Sequence, residues 1–210
     1  LGTRMRSARP KHLHLLLGRR LVDWVIDAGR ALEPARLVVV SSPDFAGEFD
    51  GVEVAVQETA RGTGDALASA KDALAAHTGE VLVLSGDSPL LRPETLASLL
   101  ETHRGGDAAA TVLTFRRNDP GSYGRIVRGD DGSVRAIVEA RDATPEELAL
   151  DEVNSSIYVF RGEALWPALD RLDPANAQDE LYLTDAVRHL AVAGERIIAF
   201  EADDPTEPEG

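Results

Sequence analysis

The stretch EVLVLSGDSPLL, at residues 80–91, decides the predicted fold. Residues 81–84 are a continuous run of branched apolar side chains, which predicts a strand buried on both faces in the middle of a parallel sheet. A polar turn, SGDSP, ends this strand, and Pro93 then begins a predicted helix. Asp87 therefore lies on a glycine turn at the carboxyl end of a central strand, where open α/β sheets bind ligands.

Asp87 has two interpretations that this junction alone leaves open. A carboxylate that is held firmly by the sheet below it suits a magnesium ion that itself binds phosphates. A short acidic side chain at the same place can instead cap the following helix or stabilise a turn.

Strands and helices alternate on both sides of this stretch. Residues 36–40, 52–56 and 108–115 are predicted strands, and 126–139 predicts an antiparallel ribbon. A helix is predicted from residue 21, with one face pointing inward that carries Leu21, Trp24, Val25 and Ala28. These patterns predict an α/β fold, a Rossmann-like doubly wound mixed sheet with a small antiparallel lid.

Composition narrows the class of protein. With 210 residues, of which 43% are hydrophobic, the chain can bury one core and is most simply one domain. Its 22 Lys and Arg against 36 Asp and Glu give a formal net charge of -14, which disfavours nucleic acid and anionic membranes as partners. The sequence has no cysteine, no stretch of membrane-spanning length and no signal peptide, so a cytoplasmic location is expected.

Two short motifs are candidates for anion or base binding. Arg4, Lys11 and neighbouring cations reverse the acidic character locally, after a loop at Gly2 whose backbone N–H groups could face a phosphate. The same cations could simply form a solvated surface loop. The GTG at 62–64 opens an alanine-rich predicted helix and could receive an anion or the edge of a base, or could be an ordinary turn.

Seven blocks of sequence resemble the uridyltransferase domain of bacterial bifunctional N-acetylglucosamine-1-phosphate uridyltransferases. They occur in the same order as in that family and cover nearly the whole chain, and the shared order and spacing are more specific than any single block. The blocks are GTRMRSARPKHLH at 2–14, Gln57 with GTG at 62–64, SGDSPLL at 85–91, YGRI at 123–126, VEARDAT at 138–144, EVNSSIYVF at 152–160 and AQDELYLTD at 177–185.

The resemblance implies a fold of the sugar nucleotidyltransferase (GT-A-like) type and a specific reaction. UTP and N-acetylglucosamine 1-phosphate would give UDP-N-acetylglucosamine and pyrophosphate, with Mg²⁺ as cofactor. The sugar phosphate would attack the α-phosphorus in line, so the protein would mainly position two anionic reactants and offset their charge. The resemblance also implies a homotrimer as the candidate assembly of a full-length protein, although the sequence does not itself reveal the oligomeric state.

Site residues follow from the same motifs. Arg4 and Lys11 would contact the triphosphate and the sugar phosphate, and Asp87 would hold the metal. Gln57 would read uracil with its amide as a paired donor and acceptor. Backbone groups of Gly62 and Thr63 would complete that base site.

The sugar side is expected at the second half of the chain. Gly124, Glu139 and Asn154 would line the sugar, since a carboxylate and an amide can bond hydroxyls and an acetamido group. Ser85 and Gly86, beside Asp87, are also expected to contact substrate. For Glu139 and Asn154 the alternative is that they are turn residues at strand ends.

The chain also departs from the family pattern. An L-A-A-G segment expected ahead of Gly2, and a second metal ligand expected just beyond the acidic, proline-rich tail that stops at Gly210, are both absent. Residues 1–210 are therefore expected to be a nucleotidyltransferase domain truncated at both ends. Ser155 and Ser156 stand where Thr-Gly or Ala-Gly is usual, and no hexapeptide repeat for acetyl transfer is present.

Two other functions remain open from the sequence. A related nucleotidyltransferase could use another sugar, such as glucose 1-phosphate, and a substrate panel would separate the two. A non-catalytic sugar-nucleotide sensor with the same fold would bind UDP-sugar tightly without turnover. The retention of Arg4, Lys11 and Asp87 favours the enzyme.

Overall fold

A computed structural model gives the structure of the protein, and it describes residues 9–74 and 79–210. The helices in this part of the chain are α1 (Leu21–Arg30), α2 (Thr63–Ser69), α3 (Lys71–Leu74), α4 (Pro93–Gly105), α5 (Pro145–Leu148), α6 (Gly162–Leu169) and α7 (Leu183–Val192), with 3-10 turns η1 (Lys11–Leu13) and η2 (Pro43–Glu48). The strands are β1 (Leu15–Leu16), β2 (Arg19–Arg20), β3 (Val38–Ser41), β4 (Glu53–Val56), β5 (Glu80–Val83), β6 (Ala110–Arg116), β7 (Arg125–Arg128), β8 (Val134–Val138), β9 (Glu152–Arg161) and β10 (Ile197–Glu201). None of the described helices is both long and apolar enough to span a membrane.

The main sheet has six strands and is mixed, as predicted. Its order is β10-β6-β9-β7-β8, and β5 pairs with β9 beside β7. Strand β10 is parallel to β6, whereas β9 is antiparallel to β5, β6 and β7. Strands β3 and β4 form a separate parallel pair.

The prediction that β5 lies in the middle of a parallel sheet is wrong for the described residues. Its partner there is β9, which runs antiparallel to it from Glu80↔Arg161 to Val83↔Tyr158. Only Val81 of this strand is fully buried, and Glu80 is exposed and bonded to Arg104. The continuous apolar run therefore overstates burial, since Leu82 and Val83 are only half-buried, and it does not give the direction of the neighbouring strand.

The core has two layers because the sheet carries helices on both faces. Alternate residues of β9 divide between them: Tyr158 and Phe160 pack with α6 and α7, and Ile157 and Val159 pack with α4. This arrangement is the predicted doubly wound architecture. The predicted antiparallel ribbon is also confirmed, since β7 and β8 pair antiparallel and join the sheet through Arg125↔Val153.

Helix α1 forms where predicted, but its inward face is rotated. Val22, Val25 and Ala28 are buried, at the spacing that one face of a helix requires. Trp24 was expected on that face and is instead half-buried: its indole N–H donates to the carbonyl of Leu16, and the Arg19 guanidinium lies 4.4 Å from its ring centre. The apolar tryptophan therefore packs against the β1–β2 hairpin.

Candidate active site

The loop after β5 brings Asp87 to Lys11. Nζ of Lys11 lies 2.8 Å from Oδ2 of Asp87, and the hydroxyl of Ser85 donates to Oδ1 at 2.6 Å. The Asp87 side chain keeps 27% of its surface exposed, so a ligand can still reach it. The arm that carries Lys11 and this loop thus meet, as the motifs predicted, whereas Arg4 lies outside the described residues.

The Asp87 carboxyl stays ionised although it is partly buried. Burial by itself raises the pKa of this carboxyl, but the hydrogen bonds from Lys11 and Ser85 outweigh it, so the net pKa is below its ordinary value. An ionised carboxylate is a hard oxygen ligand for a divalent cation. Asp87 is thereby suited to hold a metal at neutral pH.

Gly86 packs this loop against the arm. A Cβ there would lie 3.3 Å from Cβ of His12 and 3.5 Å from a methyl of Val22. A larger residue would separate the loop from the arm, and with it Asp87 from Lys11. The structure therefore gives Gly86 a packing role, and its expected contact with substrate stays a prediction.

The C-terminal segment lies against the same loop. Glu207 is 4% exposed and its carboxylate accepts hydrogen bonds from Nε, Nη2 and the backbone N–H of Arg92, at 3.0, 2.8 and 2.8 Å. Farther on, a Cβ at Gly210 would lie 3.0 Å from Oδ1 of Asp87. The sequence indicates only an acidic, proline-rich tail here, and the buried anchor Glu207 was missed because one more acid in an acidic run gives no signal.

The three predicted sugar residues are neighbours through strand register. Arg125 pairs with both Val138 and Val153, so Gly124 lies opposite Glu139 on one side and Asn154 on the other. The carbonyl of Gly124 accepts from the Asn154 N–H at 2.9 Å, and a Cβ at Gly124 would lie 3.6 Å from Oε1 of Glu139. The ribbon and β9 thus bring together three residues from separate blocks, and their role as a sugar site stays a prediction.

Glu139 is a half-buried acid whose side chain has one described hydrogen-bond partner. The hydroxyl of Thr184 donates to its Oε1 at 3.2 Å. Burial raises the pKa of Glu139; the Thr184 hydrogen bond opposes this, and nearby acids, Asp142 first, add to it. A carboxyl in this state can accept from sugar hydroxyls at little cost in further desolvation.

Tyr182 faces the same acids. Its hydroxyl is buried and has no hydrogen-bond partner among residues 9–74 and 79–210. Burial, with charge from Asp142 and Glu139, raises the pKa of Tyr182 to about 12, so the hydroxyl remains a donor at neutral pH. Neither Tyr182 nor Thr184 was singled out from the sequence, although the block AQDELYLTD contains both.

Most hydrogen-bonding groups of the Asn154 side chain are bonded within the protein. Its Nδ2 donates to the Tyr158 hydroxyl at 2.7 Å, and its Oδ1 accepts from the Ser156 N–H at 3.0 Å. One amide hydrogen and one lone pair of Oδ1 are left for a ligand. The turn interpretation is thus partly right, because the Oδ1 bond closes a turn two residues on.

The residues of the predicted base site, Gly62 and Thr63, contact the start of α7. At Gly62 (φ 116°) a Cβ would lie 2.5 Å from the Leu181 carbonyl oxygen, so this position requires glycine. The Thr63 hydroxyl oxygen accepts from the Leu183 N–H at 3.0 Å. The next residue of α7, Thr184, donates to Glu139, so the start of this helix contacts both a predicted base residue and a predicted sugar residue.

The expected role of the Gln57 amide needs correction. Its Nε2 donates to Oδ2 of Asp65 at 2.7 Å and to the Gly62 carbonyl at 3.2 Å, which uses both amide hydrogens. Gln57 therefore cannot serve as a paired donor and acceptor in this conformation. It offers an acceptor, Oε1, to which no described residue donates.

A model of the MobA-like NTP transferase domain matches residues 1–190, which is most of the chain. The chain belongs to the MobA-like NTP transferase family. This result agrees with the Lys11–Asp87 pair, which places a cation and a metal-binding type of carboxylate at the loop after β5. The predicted enzyme class and fold are thereby confirmed.

Several curated relatives of this MobA-like chain carry the name Bifunctional protein GlmU. The chain is 45% identical over 220 residues to that of Corynebacterium aurimucosum, 45% over 215 residues to that of Geobacter metallireducens, and 42% over 213 residues to that of Pelotomaculum thermopropionicum. Each match covers 100% of this chain and 45% to 47% of the relative. The chain thus spans about half the length of the curated relatives it matches.

Nucleotidyltransferases of this kind generally use a divalent metal. Among the residues that the structure describes, no group of three or more His, Asp or Glu side chains is arranged to hold one. The donor set at Asp87 still fits a hard cation, since such ions are often bound by one or two carboxylates together with water and substrate phosphates.

Proposed function

We propose that the protein transfers a uridylyl group from UTP to N-acetylglucosamine 1-phosphate, giving UDP-N-acetylglucosamine and pyrophosphate for cell-wall precursor synthesis. The observation that carries this proposal is the contact of 2.8 Å between Lys11 and Asp87, which unites a phosphate-binding type of cation and a metal-binding type of carboxylate. The family membership and the GlmU relatives support it.

Charge is the main difficulty of this reaction. Both reactants are anions and the chain carries a formal net charge of -14, so local cations must counter the repulsive field. Lys11 supplies one such cation beside Asp87, and Arg4 is proposed to supply another. Their role is to bind the phosphates, to align the sugar phosphate with the α-phosphorus and to offset charge on the transferring group.

The metal is proposed to be Mg²⁺, held by Asp87. When bound it would neutralise charge on the phosphates and help to orient them. Lys11 keeps the carboxylate ionised for this purpose, and Ser85 fixes its rotation through Oδ1. The sequence-based suggestion of a cap at Asp87 has no support in the hydrogen bonds of its carboxylate.

The sugar is proposed to lie against Gly124, Glu139 and Asn154. Glu139 accepts from ring hydroxyls, and the remaining N–H of Asn154 donates to the acetamido carbonyl. The absence of a Cβ at Gly124 lets its backbone approach Asn154 and Glu139 closely, since a Cβ there would lie 3.6 Å from each of them. The buried Tyr182 hydroxyl, which has no described partner, is a further donor on this side.

The base is proposed to be read by Gln57, Gly62 and Thr63. Oε1 of Gln57 would accept from the N3–H of uracil. The backbone N–H of Gly62, which donates to no described residue, would bond a base carbonyl. Ser85 and Gly86 are proposed to contact the nucleotide through the same loop that carries Asp87.

The test is pyrophosphate release by the protein as its gene encodes it, with UTP, N-acetylglucosamine 1-phosphate and Mg²⁺. Asp87→Asn should reduce turnover by roughly a hundredfold or more, because the charge is lost while the shape is kept. Asp44→Asn, at an exposed acid in η2, is the matched control and should keep full activity. Absence of turnover in the wild type, with tight UDP-sugar binding, would identify a sensor instead.

A substrate panel tests the choice of sugar. N-acetylglucosamine 1-phosphate should give a higher kcat/KM than glucose 1-phosphate, since Asn154 has a donor left for the acetamido group. The reverse ranking would overturn the proposed sugar but not the reaction class. As further proposals, residues 1–210 are a nucleotidyltransferase domain that works in the cytoplasm, and a longer protein carrying them would form a homotrimer.

A further inference from the structure

The side-chain amide of Gln57 is held in one orientation by two acceptors. Its Nε2 lies 2.7 Å from Oδ2 of Asp65 and 3.2 Å from the carbonyl oxygen of Gly62. A carboxylate and a carbonyl can only accept, so a flipped amide would set its oxygen against two other oxygens. The nitrogen must therefore face the protein and the oxygen must face away from Asp65.

Asp65 is itself fixed. It is 7% exposed although it lies in the first turn of α2, where a polar residue would usually face solvent. Nη2 of Arg61 lies 2.6 Å from its Oδ1, so each carboxylate oxygen has its own donor. The Ser69 hydroxyl donates to its backbone carbonyl at 3.0 Å, so within residues 9–74 and 79–210 the carboxylate itself bonds only Arg61 and Gln57.

We infer that Asp65 is a specificity-determining residue, which acts by positioning Gln57 so that only an acceptor is presented to the base. This inference rests on the proposed function, and in particular on the nucleotide lying against Gln57. An acceptor at this point pairs with the imide N–H of uracil. Cytosine has a lone pair on the same ring nitrogen, so it would set an acceptor against an acceptor.

The size of the effect follows from the cost of an unpaired buried polar group. Sites that are built to bond a specific N–H or O–H reject analogues that lack it by large factors, up to about 10⁴ to 10⁵. The rim of this site is partly open, so a preference of roughly a hundredfold for UTP over CTP in kcat/KM is expected for the wild type. Gly62 adds to this preference if its N–H bonds a carbonyl beside the imide.

The decisive variant is Asp65→Asn. Asparagine has the same shape but offers both an acceptor and a donor, so the Gln57 amide can adopt either orientation. The UTP to CTP ratio of kcat/KM should fall by roughly tenfold or more, through a gain with CTP as well as a loss with UTP. Ser69→Ala removes a bond to the backbone of Asp65 only, and it should leave the ratio unchanged.

The thermal stability of each variant should be measured beside its kinetics, because a loss of stability alone would lower turnover with both nucleotides equally. A folded Asp65→Asn variant with the wild-type ratio would overturn the inference. Should the variant fail to fold, the wild type can be examined by NMR. Both Gln57 amide hydrogens should then be protected from exchange, with a scalar coupling from Nε2 to the Asp65 carboxylate; rapid exchange without coupling would overturn the inference.

Failure of the proposed function gives a different result. If the wild type releases no pyrophosphate from any nucleoside triphosphate, the proposed reaction is wrong. Calorimetric titration of the wild type and Asp65→Asn with UTP and CTP then decides the inference by itself. Selective UTP binding that is lost in the variant supports it, and equal binding of both nucleotides by the wild type contradicts it.

Discussion

Nζ of Lys11 lies 2.8 Å from Oδ2 of Asp87, so the ammonium group of η1 neutralises the carboxylate that follows β5. The two side chains are 36% and 27% exposed, and both remain open to a ligand. A cation bound at Asp87 would share this carboxylate with Lys11, and a phosphate could then contact both. The pair therefore couples the ionisation of Asp87 to the group proposed to bind phosphate.

Replacement of Lys11 by methionine should shift the pH dependence of activity. Burial raises the pKa of Asp87 and the hydrogen bond from Lys11 is the first of the interactions that lower it. In Lys11→Met the carboxyl should therefore protonate at a higher pH, and the acid limb of kcat/KM should move upward. Turnover at the optimum should also fall by roughly a hundredfold.

The linked effect on stability has a definite sign. Because the folded pKa of Asp87 is depressed, its contribution to stability is present above the unfolded pKa and is lost as pH falls through the folded value. In Lys11→Met the folded pKa of Asp87 should be less depressed, so less stability should be lost as pH falls. Lys71→Met, which breaks an ion pair with Asp170 elsewhere, is the control, and an unmoved acid limb in Lys11→Met would contradict the prediction.

Glu139→Gln should stabilise the protein while it weakens sugar binding. Burial raises the pKa of Glu139, so the folded state binds this proton more tightly than the unfolded state. Stability is then greatest below the unfolded pKa and falls as pH rises towards the folded pKa. The amide of Glu139→Gln does not titrate, so the stability of this variant should decrease less as pH rises. KM for the sugar phosphate should rise by roughly tenfold, since one acceptor becomes a donor.

Melting temperatures of the wild type and Glu139→Gln across pH 4 to 8 measure the effect on stability. KM for both substrates measures the effect on binding. Glu146→Gln, an exposed acid in α5, should change neither. A Glu139→Gln variant that is less stable than the wild type at neutral pH would show that the buried charge is better compensated than its described partner, Thr184, suggests.

The elements of the fold follow from periodicity, but the partners of buried groups do not. Apolar runs predict β5 and β6, because residue type indicates burial. The direction of β9 beside β5 depends on a pairing remote in sequence. Asp87 was predicted since it ends a strand on a glycine turn. Asp65 was not, because an acid in an alanine-rich helix looks like part of a solvated face until Gln57 and Arg61 are seen to contact it.

Ser156→Gly should stabilise the protein. Ser156 has a φ of 63° at an exposed position between the β7-paired and β5-paired parts of β9. A left-handed conformation costs a non-glycine residue about 1–2 kcal/mol, and the extra unfolded-state entropy of glycine offsets about 0.5–1 of that. A gain of at most about 0.5–1 kcal/mol in the free energy of unfolding is expected, since glycine also removes the hydrogen bond of the Ser156 side chain to the Tyr158 hydroxyl.

The adjacent serine is the matched control. The Ser155 hydroxyl donates to the Leu113 carbonyl at 2.6 Å and accepts from the Ile157 N–H at 3.2 Å. Ser155→Gly should therefore destabilise the protein by about 1–3 kcal/mol, because buried groups lose their partners. Denaturant unfolding of both variants measures the difference, and destabilisation by Ser156→Gly would refute the assignment of strain.

Arg125 connects the glycine loop before β7 to the end of α5. It is 3% exposed, and its guanidinium donates to the carbonyl of Tyr123, to that of Gly121 at 3.1 Å and to that of Leu148 at 3.4 Å. No carboxylate among the described residues forms an ion pair with it. A buried cation bonded only to carbonyls fixes loop geometry at the residue next to Gly124.

Arg125→Met should therefore raise KM for the sugar phosphate by roughly tenfold or more and leave KM for UTP almost unchanged, because two loop carbonyls and one at the end of α5 lose their donor beside the proposed sugar site. Arg128→Met, on the same strand, removes one of the partners of the buried Glu152 and should lower the melting temperature without this selective effect. Steady-state kinetics with each substrate varied in turn, together with melting curves, separate the two roles. Parallel increases of both KM values in Arg125→Met, or an equal sugar effect in Arg128→Met, would mean that Arg125 supports the fold and not the sugar site.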